Sequence, residues 1–422
     1  MADIIEELQW RGLIAQHTDI DALRKEMNGG LITFYCGFDP TAPSLHHGHL
    51  VQLMLMRHLQ NAGHRPIALV GGATGMIGDP RQSGERTLNP AKTVAEWTDK
   101  LRAQIERFLS FEGDNAAQMV NNWDWTHDVS AIDFLRDIGK YFRLGTMIAK
   151  DTVARRLASD EGISYTEFSY QVLQAYDYLT LFETRNCVLQ TGGNDQWGNL
   201  VGGMDLIRKK HGASVHVLTT PIITKSDGTK FGKSEGGAIW LDSTMMTPYA
   251  FYQFWLNTDD ADVVHLLKIF TMRSREEILE LAKEVEEQPH LRAAQKTLAY
   301  DVTAQVHGTC AADQAVAASE ALWGSGDLSA VDAQTMEAAV QGLPQGQCQS
   351  GTSTIVDLLI STGLVKGRKA ARQTVASGGA YLNNVKVEDE DKPVSDEDIL
   401  AGGYVLVRRG RRNLAVAKVT EK

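Results

Sequence analysis

The stretch "LITFYCGFDPTAPSLHHGHLVQLMLMRHLQNAG", residues 31–63, decides the fold of the first half of the chain. Its first eight residues read as a short buried strand. The Pro-containing turn "DPTAPSLHHG" follows, and "HLVQLMLMRHLQNAG" then predicts a helix that stops at Gly63. A second strand, "PIALVGG" (66–72), runs into the Gly-rich "GGATGMIGDP". Helices are expected near 91–112 and 165–182 and after "NDQWGN", and strands at "NCVLQTGG" (186–193) and "ASVHVLTT" (213–220). Strands alternating with helices predict an α/β domain, a doubly wound parallel sheet with ligands at the carboxyl ends of its strands.

The bulk numbers frame that domain. At 422 residues two or three domains are expected, and 43% hydrophobic with 23% charged residues is the composition of a soluble globular protein. No run of eighteen apolar residues predicts a membrane span, and "MADIIEELQW" lacks the basic and apolar regions of a signal peptide. Cys36, Cys187, Cys310 and Cys348 form no CxxC pair, which points to a reducing, cytoplasmic setting. A net charge of −11 argues against a non-specific coat on nucleic acid, while leaving room for a local basic patch.

Four segments are expected: a sheet domain over 1–224, a lysine-bearing loop and helical domain over 225–325, a polar linker around a short helix over 326–351, and an ordered α+β end over 352–422.

Three of the twelve histidines fall in "SLHHGHL", residues 44–50, where the first strand hands over to the first helix. Unpaired amides and the dipole at a helix start favour a negative group there. Gly48 leaves room for a nucleotide against the backbone, and His46 and His49 are placed to donate to phosphate oxygens. A metal site would need a further ligand such as a carboxylate, and none occurs between 44 and 60. Structural histidines in a turn are the plain alternative.

Far downstream stands "KSDGTKFGKS", 225–234, a glycine- and lysine-rich stretch without apolar periodicity, hence a mobile loop. A P-loop would need glycine where Asp227 stands, and a helix after the motif. The ordered pair H-x-G-H and K-F-G-K-S resembles the two signatures of the class I aminoacyl-tRNA synthetases. That family's consensus has methionine and serine where Phe231 and Gly232 stand, while both lysines and the serine remain.

In "YTEFSYQVLQAYDYLTLF" (165–182), Tyr170, Gln174 and Asp177 share one helix face. An aromatic-rich helix with few charges looks buried, and a buried carboxylate needs a partner. With "YCGFDPT", "GGATGMIGDPR", "SYQVLQAYD" and "QTGGNDQWGN", the resemblance narrows to the bacterial tyrosyl-tRNA synthetases and covers essentially the whole chain. It implies a Rossmann-like catalytic domain, an all-α domain and a small S4-like RNA-binding domain.

Carried onto this chain, the resemblance implies Tyr35 and Asp177 on the phenolic hydroxyl of L-tyrosine, and Asp79, Tyr170 and Gln174 on its ammonium group. Gln196 would lie near the reacting carboxylate. Gly193 and Asp195, with Cys36, would hold the ATP ribose, and Gly48 the nucleotide. Thr41, His46 and His49 would contact phosphates from one side, and Lys230 and Lys233 from the other. Mg²⁺ would arrive with ATP and no tightly bound metal is expected. The partner is tRNA(Tyr), and a homodimer is implied.

Residues 352–422 carry twelve Lys or Arg against nine Asp or Glu. "LVKGRKAARQTVASGGAYLNNVKV" (364–387) resembles the core of an S4 domain. Lys366, Arg368, Lys369 and Arg372, with Arg408, Arg409, Arg411 and Arg412, are candidate phosphate contacts. Two other readings stay open at this level: a non-catalytic RNA-binding protein that kept the fold, and a related H-x-G-H nucleotidyl transferase.

Overall fold

The computed structural model describes residues 3–81, 84–232, 237–323, 326–410 and 413–420. These fall into two compact units, one of Met1–Met245 with Thr258–Leu298, the other of Met246–Asn257 with Ala299–Lys422.

The first unit is built on β1 (Thr33–Phe38), α1 (His47–Asn61), β2 (Arg65–Val70), β3 (Gln118–Asn121), α2 (Asp151–Leu157), α3 (Tyr165–Arg185), β4 (Cys187–Gly193), α4 (Trp197–His211) and β5 (His216–Thr220). The strands lie in the order β3-β2-β1-β4-β5 and every pairing is parallel. The order in which the chain adds strands reverses between β1 and β4, so the connections leaving their carboxyl ends diverge and leave a crevice. β1 and β2 are buried almost throughout, as strands covered on both faces must be.

Local chemistry sets the helix that matters most. His46 caps α1: its Nδ1 accepts the Gly48 N–H at 3.0 Å, while His49 Nδ1 accepts the His46 N–H at 3.1 Å. Two imidazoles thereby satisfy amides that a helix start leaves open, in place of the usual Ser and Glu. Gly48 belongs to this cap, because a Cβ there would lie 2.9 Å from the His46 ring. α3 is capped by Ser164 and ends at Asn186, which takes a left-handed conformation at φ 52°.

The second unit carries α5 (Thr309–Trp323), β6 (Gln345–Cys348), α6 (Ile355–Ser361), α7 (Arg368–Ala376), β7 (Ala380–Leu382), β8 (Val385–Lys386), β9 (Tyr404–Arg409) and β10 (Asn413–Val419). Its sheet runs β6-β10-β9-β7-β8. The stretch 326–351 is more than a connector. Its expected helix is present at Ala333–Val340, but Leu328, Val331, Met336 and Val340 are buried against Leu406, Leu414 and Val416, and β6 pairs with β10. Within the helix, Met336, Ala339 and Val340 at spacings of three and four explain the burial; the surrounding Gly and Gln hid it. The helical stretch 247–325 also divides, since Pro248–Leu256 belongs to the second unit and Asp260–Phe270 to the first.

Candidate active site

A cavity of about 640 Å³ opens at the carboxyl ends of β1 and β4. It gathers residues from five separate stretches: Tyr35, Cys36, Thr41, His46, Gly48 and His49; Asp79; Tyr170, Gln174 and Asp177; Gly193, Asp195 and Gln196; and Lys230. Lys233, expected beside them, lies outside the described residues.

One end is built around Asp177. Its Oδ1 accepts from Trp125 Nε1 at 2.9 Å and its Oδ2 from Asn122 Nδ2 at 3.0 Å. Burial pushes its carboxyl up to about 7, against the pull of those two donors. Tyr35 lies 5.4 Å from Tyr178, ring to ring, and its hydroxyl is buried without a partner among the described residues. Burial first, and the Asp177 charge second, hold that phenol well above its usual range. A buried hydroxyl with nothing to bond is costly, so this end is shaped for a polar group that the protein does not supply.

Beside it stand two more carboxylates. Asp39 accepts from Tyr170 Oη at 2.7 Å and from Thr74 Oγ1 at 2.6 Å. Asp79 accepts from Gln196 Nε2 at 2.9 Å and from Asn199 Nδ2 at 3.0 Å. Burial raises the pKa of both. Gln174 lines the same cavity, its Oε1 buried and without a partner among the described residues. Buried acceptors gathered so closely suit a cation with several N–H donors.

The opposite end is the histidine corner. His46 and His49 rings lie 4.0 Å apart, and with each Nδ1 accepting a backbone N–H the ring proton sits on Nε2. Burial lowers the pKa of His46 and holds His49 well below its usual range, so both stay neutral and act as donors. Among the described residues no group of three His, Cys, Asp or Glu side chains is arranged to hold a metal. Cys36 gives its thiol proton to Gln52 Oε1 at 3.7 Å, and burial pushes the thiol up to about 12. It is a weak donor here, with no thiolate to attack anything.

Lys230 reaches the cavity from a small hairpin. Phe231 N–H donates to Ile223 C=O at 3.1 Å, Asp227 Oδ1 accepts the Thr229 N–H at 2.8 Å, and Asp262 Oδ1 accepts the Ser226 N–H at 2.7 Å. Phe231 sits edge-on to His47, 5.8 Å away. So the middle histidine packs against the loop, and burial lowers its pKa to about 4.

Sequence reasoning missed several of these groups. Asp39 stood inside the quoted "YCGFDPT", and its apposition to Tyr170 needed the fold. Asn122 and Trp125 lie in "NNWDW", which has no periodicity to flag it. Arg86, from a loop rich in turn formers, also lines the cavity, its Nε donating to the Asp79 carbonyl.

In the second unit Lys366, Arg368, Lys369 and Arg372 are exposed at and along α7. Arg368 and Arg372 also contact Asp357 at 3.0 Å and Glu390 at 3.3 Å. Arg409 donates to Leu364 C=O at 2.9 Å. Arg408 is used differently from expectation: its Nη2 donates to Leu322 C=O at 2.6 Å and Asn384 Oδ1 at 3.0 Å, closing the end of α5. Arg411 and Arg412 lie outside the described residues.

Residues 27–324 match the family described as "tRNA synthetases class I (W and Y)", and residues 335–417 the "Tyrosine--tRNA ligase SYY-like C-terminal domain". Among curated proteins, tyrosine--tRNA ligase of Streptomyces coelicolor is 58% identical over 421 residues, covering 100% of both chains. That of Leifsonia xyli subsp. xyli is 57% identical and covers 99% of this chain and 95% of its own. A C-terminally truncated mitochondrial tyrosyl-tRNA synthetase of Aspergillus nidulans superposes with a TM-score of 0.68 at 30% identity, over 75% of this chain and 92% of that one. Matched from end to end in this way, the chain belongs to the tyrosine--tRNA ligases, within the class I aminoacyl-tRNA synthetases.

Proposed function

We propose that this cavity joins L-tyrosine to ATP, giving tyrosyl-adenylate and pyrophosphate, and then passes the tyrosyl group to the 3′-terminal ribose of tRNA(Tyr). The observation that carries the assignment of ends is the unsatisfied Tyr35 hydroxyl beside Asp177 at one extremity, with the neutral His46/His49 pair and Lys230 at the other. Tyr35 and Asp177 take the phenol, and Asp79, Tyr170 and Gln174, with Asp39 bracing Tyr170, take the ammonium. Gln196 lies beside the substrate carboxylate, and Gly193, Asp195 and Cys36 take the ribose.

The attacking carboxylate is already ionised, so the first step needs no base. The work is alignment and charge: Thr41, His46 and His49 donate to the triphosphate, and Arg86, Lys230 and Lys233 neutralise the leaving pyrophosphate. Mg²⁺ would arrive with ATP and offset phosphate charge, and no dedicated protein cage is needed for it. Lys366, Arg368, Lys369, Arg372 and Arg409 touch RNA phosphates, and Arg408 helps to shape that surface. The readings as a non-catalytic RNA-binding protein or as another H-x-G-H transferase have no observation behind them.

Two further parts complete the reading. Ile132, Leu135, Leu144, Ile148, Leu157 and Tyr165 are exposed within one short span of chain, an apolar concentration that supports a homodimer. Cys36, Cys187 and Cys348 are buried as free thiols, which suits a reducing cytoplasm. Amino-acid-dependent ATP–pyrophosphate exchange with tyrosine, phenylalanine and tryptophan tests the reaction. Exchange with tyrosine alone is expected, and equal exchange with tryptophan would refute the assignment of the phenol pocket.

A further inference from the structure

A buried ion pair of the first unit takes no part in the roles assigned above. Arg156, near the end of α2, and Glu167, in the first turn of α3, are each 1% exposed, with Glu167 Oε2 2.9 Å from Arg156 Nη1. Neither lines the cavity. The contact is one of charge rather than a directed hydrogen bond, because Nη1 aims at the carbonyls of Gly84, at 2.8 Å, and Arg81, at 3.2 Å. Nε donates to Gly162 C=O at 2.9 Å. From the other side, Glu167 Oε1 accepts the backbone N–H of Arg86 at 2.9 Å.

Two opposite charges taken out of water therefore hold three backbone groups of one neighbourhood: Arg81 C=O, Gly84 C=O and Arg86 N–H. What this neighbourhood delivers is the Arg86 side chain. Its stem crosses Gly78, where a Cβ would lie 2.5 Å from Arg86 Cδ, and its Nε donates to Asp79 C=O. Burial raises the pKa of both Asp39 and Asp79, and the Arg86 charge pulls against that rise. Withdrawing an ion pair from water commonly costs more than its attraction returns, so stability alone is a weak reason to keep one. Fixing a backbone that carries a cavity cation is a better reason, since small displacements of an aligned charge weaken catalysis steeply.

We propose that Arg156 and Glu167 are positioning residues that fix Arg86 against the cavity for adenylate formation. The proposal rests on the reading of Arg86 as a cation for the pyrophosphate. It separates from a merely structural role by a double-mutant cycle.

Arg156→Lys keeps the charge but puts one donating nitrogen where Nε and Nη1 stand, so it cannot hold Gly162 C=O together with the Arg81 and Gly84 carbonyls in the same geometry. It is expected to lower the kcat of tyrosine-dependent pyrophosphate exchange about tenfold while the tyrosine Kd changes by less than about twofold. On an Arg86→Ala background the same change should cost less than about twofold, because the group it positions is gone. Should Arg156→Lys fail to fold, Glu167→Gln runs the same cycle, since its amide can serve Arg86 or Arg156 but not both. A full tenfold loss on both backgrounds, or an equal loss of tyrosine affinity, overturns the proposal. Absence of any tyrosine-dependent exchange in the parent protein would instead refute the reading of the reaction itself.

Discussion

Asp177 is a carboxylate that accepts from Asn122 and Trp125 and keeps lone pairs toward a cavity where the Tyr35 hydroxyl stands unbonded. On the proposed reading a tyrosine phenol would satisfy both, while phenylalanine would leave the Tyr35 hydroxyl and the remaining Asp177 lone pairs unmet. That tyrosyl-tRNA synthetase rejects phenylalanine in this way is the general example of the principle, so only the residues are specific here. Asp177→Asn should lower tyrosine kcat/KM by about 100-fold and phenylalanine kcat/KM far less, read by parallel exchange assays. The same carboxyl sets a pH dependence. With a pKa near 7 in the free protein, it is ionised and ready to accept only above that value. Tyrosine affinity should thus hold steady above pH 7 and weaken as pH falls through it, by up to about tenfold per unit, in equilibrium dialysis across pH 5.5–8.5. The stability sign is opposite. Its pKa is raised above 3.8, so the folded protein holds a proton the unfolded chain releases, and this group's contribution falls as pH rises from about 4 to about 7.

At the scale of elements, α1 and the lysine hairpin meet through His47 and Phe231, at the end of the cavity proposed for the triphosphate. Lys230 is exposed on a hairpin pinned by Asp262, so its charge can be removed without unmaking the cavity. Lys230→Ala should slow exchange by about 100-fold with tyrosine Kd almost unchanged; a matching loss of tyrosine affinity would place Lys230 elsewhere. His46→Ala should cost about 1 kcal/mol of stability as well as activity, because it removes a cap together with a donor, and a thermal melt separates the two effects. These two elements were legible in advance because their signals are local: a strand, a Pro turn and an apolar helix for one, clustered Lys and Gly for the other. β3 and α2 were not. Gln118–Asn121 is a four-residue edge strand and Asp151–Leu157 a two-turn helix, both too short to show a period. Asp39, Asn122 and Trp125 escaped for a related reason, since each acts through a partner 52 or more residues away that only the fold brings near. The buried set in 326–351 was masked by Gly and Gln between its apolar positions.

At the scale of the molecule, two surfaces extend the account. Lys366, Lys369 and Arg372 replaced together by Ala should leave pyrophosphate exchange untouched, raise the KM for tRNA about tenfold or more, and flatten its salt dependence. Ile132 is 72% and Tyr165 71% exposed; on the homodimer proposed above, the parent should sediment as two 46.4 kDa chains and replacing both residues by Asp should give the monomer. The central claim is narrower than either. One cavity grips a phenol at one end and a triphosphate at the other, with Asp177 choosing the amino acid. It is tested most directly by measuring kcat/KM for pyrophosphate exchange with tyrosine and with phenylalanine, in the parent and in Asp177→Asn. The account predicts a large preference for tyrosine that collapses in the variant, through loss of tyrosine activity. A preference that survives intact, or an equal loss for both amino acids, would contradict it.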